Sequence, residues 1–107
     1  MTSDNSDENN ALIKSEMEIS DYEVIPHLFH DRKSEILKLL IEEKMNLSEI
    51  GEIVNLNPGT VRRYLDELMR FDLIKVIETR KNKYGQIMKY YRAAAKKYEI
   101  KIRFSWP

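Results

Sequence analysis

Apolar residues fall at helical spacing from Asp31 onward. Ile36, Leu37, Leu40 and Ile41 share one face, Leu39 widens it, and Ser34 and Glu35 lie in the first turn. The pattern predicts a helix over 31–43, with Asp31 as its N-cap and Lys44-Met45-Asn46 as its end. A short helix is predicted from about 48 to 54. Leu47, Ile50, Ile53 and Val54 form its inner stripe, and Glu49 and Glu52 point outward. Gly51 lies mid-helix, where glycine costs ~1 kcal/mol relative to alanine, so it implies that another backbone passes close by. Asn55-Leu56-Asn57 reads as a tight turn. Asn55 tolerates the left-handed conformation that ends a helix, and Asn57 caps the next helix with Pro58 at its first position. That helix runs to about Arg70, with Val61, Leu65 and Leu68 on one face. Gly59, Arg63, Asp66 and Arg70 occupy the opposite face, flanked by Arg62 and Thr60.

Beyond Asp72 the apolar period shortens to about two. Strands are predicted over 73–80 and 87–93, joined by Lys81-Asn82-Lys83-Tyr84-Gly85-Gln86, a hairpin loop with glycine for its turn. A strict alternation follows. Tyr98, Ile100, Ile102, Phe104 and Trp106 face one way, and Glu99, Lys101, Arg103 and Ser105 the other, which predicts a C-terminal strand over 94–107. Residues 1–10 contain a single apolar residue, Met1, and read as a disordered acidic tail. Residues 11–30 hold apolar positions without a clean period, interrupted by Pro26, and read as a docking segment, helix or strand. No internal repeat or coiled-coil heptad is present.

The composition narrows the function classes. The chain has 107 residues, 42% hydrophobic and 34% charged, the profile of one globular domain. No apolar run approaches the ~18 residues that span a bilayer. The acidic N-terminus does not resemble a secretory signal. The absence of cysteine removes disulfides, thiolate zinc sites and a cysteine nucleophile. The net charge of zero conceals an asymmetry. Residues 1–24 hold seven acids and one base, a charge of −6, whereas residues 73–107 hold ten bases and two acids, a charge of +8. An acidic tail on a basic body points to a polyanion-binding surface.

Helix, short helix, tight turn, capped helix and basic hairpin together resemble the winged helix-turn-helix of bacterial and archaeal transcription regulators, most of all the arsenical-repressor group. The stretch from Leu47-Ser48-Glu49-Ile50-Gly51 through Asn57-Pro58-Gly59-Thr60-Val61-Arg62-Arg63 carries the likeness, with the motif's apolar positions on Ile50, Val54, Leu56 and Val61. Asn55 and Asp72 stand where the family often has glycine, and both tolerate positive φ. The resemblance covers 31–93. It implies an α+β fold, a three-helix core with a β-hairpin wing, and a cytoplasmic homodimer that binds double-stranded DNA and regulates transcription, commonly by repression. Pro58, Gly59, Thr60, Arg62 and Arg63 are the expected major-groove residues. Arg80, Lys81, Lys83 and Tyr84 form the expected wing contact on the backbone or in the minor groove. Regulators of this type pair so that two recognition helices lie ~34 Å apart on DNA. The C-terminal strand either folds back over its own domain, against residues 12–25, or packs on its counterpart in a second chain, and the second outcome makes Ile100, Ile102, Phe104 and Trp106 the candidate interface.

Competing readings are bland or belong to other classes. Arg62–Asp66 and Arg63–Glu67 also fit weak i,i+4 surface pairs. Acidic Asp66 and Glu67 on the recognition helix fit a protein-interaction winged helix without DNA readout. Tyr84, Tyr90 and Tyr91 could stack single-stranded bases. His27, His30 and Asp31 are too few for a metal set and read as a helix-start cluster. No nucleophile–base constellation or phosphate-cradling glycine loop appears, so neither an enzyme nor a cofactor is expected. The sequence names no effector.

Overall fold

The computed structural model describes residues 13–103 and 105. The expected tail over 1–10, and Phe104 and Trp106, lie outside these residues. The chain runs β1 (Met17–Ile19), a 3-10 turn (Tyr22–Val24), α1 (Ile25–Leu28), α2 (Asp31–Glu42), β2 (Met45–Asn46), α3 (Leu47–Val54), α4 (Pro58–Arg70), β3 (Ile74–Lys81), β4 (Ile87–Ala93) and β5 (Tyr98–Ile100). This is a winged helix: α2, α3 and α4 form the helical core, and β3 and β4 form the wing.

The helix starts follow local hydrogen-bond chemistry. His30, rather than Asp31, caps α2, because its Nδ1 accepts the Lys33 N–H. Asp31 instead sits in the first turn, where its charge favours the helix dipole. Asn46 begins α3 one residue earlier than the apolar pattern suggests. It forms a reciprocal capping box: Asn46 Oδ1 accepts from Glu49 N and Glu49 Oε1 accepts from Asn46 N, both at 2.9 Å. Asn55 closes α3 in the left-handed region at φ 57°. Asn57 caps α4 through the Thr60 N–H at 2.8 Å. Asp72 takes φ 58° where α4 gives way to the wing.

The stripes read from the sequence converge in one core, except that Ile53, counted in the inner stripe of α3, is 54% exposed. Ile36 and Leu40 of α2, Ile50 and Val54 of α3, and Val61, Leu65 and Leu68 of α4 are buried with Leu73, Ile74 and Ala93 of the wing base. Gly51 marks the crossing of α3 and α4. A Cβ there would lie 3.1 Å from Leu56 O and 3.7 Å from Val61 Cγ2.

Met45–Asn46 does more than end a helix. It joins the wing as an edge strand, giving an antiparallel sheet in the order β2-β4-β3. The β3–β4 register slips between Val76 and Glu78, leaving Ile77 as a bulge and setting Glu78 opposite Tyr90. Arg92 of β4, counted in the sequence as surface charge, is buried. Its guanidinium donates to Leu40 O at 2.9 Å and Ile41 O at 2.8 Å, satisfying carbonyls in the last turn of α2.

The described part of the 11–30 segment, from Ile13, contains β1, the turn and α1. β1 pairs in parallel with β5 of the same chain, Met17 opposite Tyr98 and Ile19 opposite Ile100. The Tyr98 hydroxyl donates to Leu73 O at 2.6 Å and accepts from Ala94 N at 3.1 Å, which ties this ribbon to the root of the wing. Among the described residues the C-terminal strand is Tyr98–Ile100, shorter than the alternation suggests. Its partner strand β1 is equally short, so the ladder runs out of pairing backbone.

Candidate nucleic-acid interface

The start of α4 is exposed at Pro58 and Gly59, and Thr60 is half-buried. The Asn57 cap uses the Thr60 N–H, and proline has none, so this end offers an approaching phosphate fewer donors than three bare residues suggest. One turn on, the two arginines diverge. Arg62 is exposed and lines a cleft between α4 and the wing. Arg63 lies over the Tyr64 ring, 5.2 Å from its centroid. The i,i+4 pairing of Arg63 with Glu67 gives way to a different one. Glu67 turns inward to Lys33, with Nζ 2.7 Å from Oε1. That leaves Asp66 as the exposed acid on this part of α4.

The cleft encloses about 500 Å³ and is lined by Ser48 of α3, Arg62 of α4, and Asn82, Met88, Lys89 and Tyr91 of the wing. Ser48, Asn82 and Lys89 were not singled out in the sequence. Their signals were slight: a serine at a helix start, an asparagine three residues before the turn glycine, and a lysine in a strand. Burial raises the Tyr91 phenol above its usual range, reinforced by Asp66 and opposed by Arg62, so the cleft floor is a neutral hydroxyl. Tyr91 belongs to the core and cannot stack a base, whereas Tyr84 is 75% exposed at the wing tip.

Asn82 shapes that tip. Its Oδ1 accepts from Tyr84 N and Gln86 N, both at 2.9 Å, and Gly85 adopts φ 79°. The loop so held displays Lys81, Lys83 and Tyr84 to solvent, with Lys83 Nζ 5.2 Å from the Tyr84 ring centroid. Arg80 differs from its neighbours. Its Nε is paired with Glu78 Oε2, and Glu78 Oε1 pairs with Lys44. Hydrogen bonds from Arg80 and Lys44 hold the Glu78 carboxyl below its ordinary range.

The two histidines serve structure. His27 Nδ1 lies 2.8 Å from Lys33 Nζ, and its ring packs on Phe71. Desolvation, then the Lys33 charge, lowers its pKa. His30 caps α2 and meets Tyr64 edge-on. Among the described residues no group of three or more His, Asp or Glu could hold a metal, and no helix is long and apolar enough to cross a membrane.

Residues 30–76 match the family model of the bacterial regulatory protein, arsR family. That stretch, from the cap of α2 through α3 and α4 to the first residues of β3, is similar to the helix-turn-helix of that family. No curated protein matches the chain. Among solved structures, HlyU from Vibrio cholerae N16961 is 19% identical with a TM-score of 0.54, over 67% of this chain and 72% of that one. NolR from Sinorhizobium fredii is 20% identical with a TM-score of 0.54, over 66% and 65%. The homodimeric winged helix-turn-helix DNA-binding domain Mb0332 from Mycobacterium bovis, a possible ArsR-family transcriptional regulator, is 26% identical with a TM-score of 0.53, over 67% and 61%. This chain thus spans under two thirds of the last two.

Proposed function

We propose that this protein is a sequence-specific regulator of transcription that binds double-stranded DNA as a homodimer. In this reading α4 enters the major groove with Pro58, Gly59, Thr60, Arg62 and Arg63, and the wing lies on the backbone or in the minor groove with Lys81, Lys83, Tyr84 and, where released from Glu78, Arg80. The observation that carries it is the cleft between α4 and the wing. Arg62 and Lys89 line it, and Lys81 and Lys83 stand exposed on the hairpin beside it. A phosphate backbone following that concavity meets cations from both elements, and such contacts position a protein while base edges specify. Glu67 is drawn inward to Lys33, which weakens the case for an acidic, protein-binding α4.

Pairing of two chains is supported by the homodimeric relative and by the half-buried Ile102 and the exposed Ile100 on the terminal ribbon. Ile100, Ile102, Phe104 and Trp106 are the proposed contact. Selection from a random duplex pool tests the reading, with sedimentation of the free protein beside it. Enrichment of a palindromic site is expected. A pool that stays random, with no shift of duplex DNA at low salt, would overturn it.

A further inference from the structure

The base of the wing carries an arrangement that DNA binding does not by itself require. The bulge at Ile77 turns Glu78 to face Tyr90. On that face both carboxylate oxygens are engaged, one with Lys44 and one with Arg80. The two cations also flank the Tyr90 ring, at 5.9 Å and 4.7 Å from its centroid. Lys44 comes from the end of the helical core and Arg80 from the strand that leads into the exposed lysines. A single carboxylate, placed by a backbone irregularity, thus holds two cations at the edge of the basic surface. A bulge that re-aims one side chain beside a binding surface is a specific structural device.

We infer that Glu78 is an internal counter-ion that keeps Arg80 and Lys44 from DNA phosphate and so restrains sequence-independent binding by the wing. This rests on the reading that the wing lies on DNA. In the free protein the carboxylate fills the place that a phosphate oxygen would take between the two cations. The wing then meets DNA through Lys81 and Lys83, and Arg80 contributes little. Each phosphate contact adds ~0.9 to the slope of log affinity against log salt and carries no sequence information.

Duplex affinity of the full chain is measured against salt for wild type, Glu78→Gln, Arg80→Ala, the double mutant of those two, and Lys81→Ala with Lys83→Ala. Glu78→Gln is expected to steepen the slope by up to ~1.8 on selected and random duplex alike, an advantage that shrinks roughly tenfold between about 50 and 200 mM salt. Arg80→Ala is expected to leave the wild-type slope unchanged but to flatten that of Glu78→Gln by ~0.9. An unaltered slope in Glu78→Gln, with the lysine pair still flattening it, overturns the inference and leaves the wing on DNA. An unaltered slope in the lysine variant refutes the wing contact itself, and the inference with it. Should Glu78→Gln not fold, Arg80→Ala decides alone: flattening by ~0.9 shows that Arg80 already contacts phosphate and overturns the inference.

Discussion

Removing either partner of the Lys33–Glu67 pair should have unequal effects. The Lys33 side chain is 8% exposed and that of Glu67 27%. Glu67→Ala leaves an ammonium in a nearly dry site whose remaining neighbours are the neutral His27 ring at 2.8 Å and the Tyr64 face at 5.5 Å. Orphaning one charge of a buried pair costs ~3–5 kcal/mol, and the partial exposure of this pair lowers the expectation to ~2–3 kcal/mol. Lys33→Met keeps the packing of the stem, and the orphaned carboxylate can turn toward water, so the expected cost is ~0–1 kcal/mol. At ~4–8 °C per kcal/mol for a domain of this size, Glu67→Ala should lower Tm by about 10–20 °C and Lys33→Met by less than about 8 °C. Thermal melts and urea titrations followed by circular dichroism at pH 7 measure both, and the double mutant should resemble Lys33→Met. A Glu67→Ala chain that melts above Lys33→Met would refute the reasoning, because the cost would then not lie in stranding the lysine.

Arg62→Ala should cost ~1–3 kcal/mol of discrimination at the selected DNA site without lowering Tm; retained affinity in a competition titration would remove Arg62 from the interface. Arg92→Ala leaves the Leu40 and Ile41 carbonyls without their donor, and should destabilise the domain by ~2–3 kcal/mol in urea titration. Acid should weaken the fold in two steps. The lowered pKa of His27 makes the unfolded chain the better proton binder as pH falls below 6.5, and the lowered carboxyls of Glu67 and Glu78 do the same below 4.5. Melting curves from pH 8 down to well below the ordinary carboxyl range should show both, and His27→Gln should abolish the upper one.

The helical half of the fold was legible because its determinants are local. The stripes of Ile36, Leu40, Ile50, Val54, Val61, Leu65 and Leu68 each follow from one helix's own period, and all seven are buried. The turn residues Asn55, Asn57 and Gly85 act on the backbone next to them. What escaped depends on partners distant in sequence. Met45–Asn46 is too short to show a period and is a strand only because Tyr90 and Tyr91 lie beside it. The basic count of 73–107 treated all ten cations alike, yet Arg92 serves helix carbonyls and Arg80 is paired with Glu78. Similarly, Glu67 looked like part of an acidic surface until α2 brought Lys33 against it. Charge composition therefore does not separate the cations that serve the fold, such as Arg92, from those that stand exposed on the wing, such as Lys81 and Lys83.

The β1–β5 pairing also has a consequence in time. Met17 and Ile19 lie opposite Tyr98 and Ile100, so the first strand of the ladder waits for nearly the whole domain to be synthesised. At ~5–20 residues per second that interval lasts several seconds, long compared with the microseconds in which a helix forms. Throughout it, Ile13 and Ile19, both buried in the finished domain, lack the strand that flanks them. The acidic residues Glu16, Glu18, Asp21 and Glu23 surround this apolar stretch and give the nascent chain a charge that opposes self-association while its partner strand is still being made.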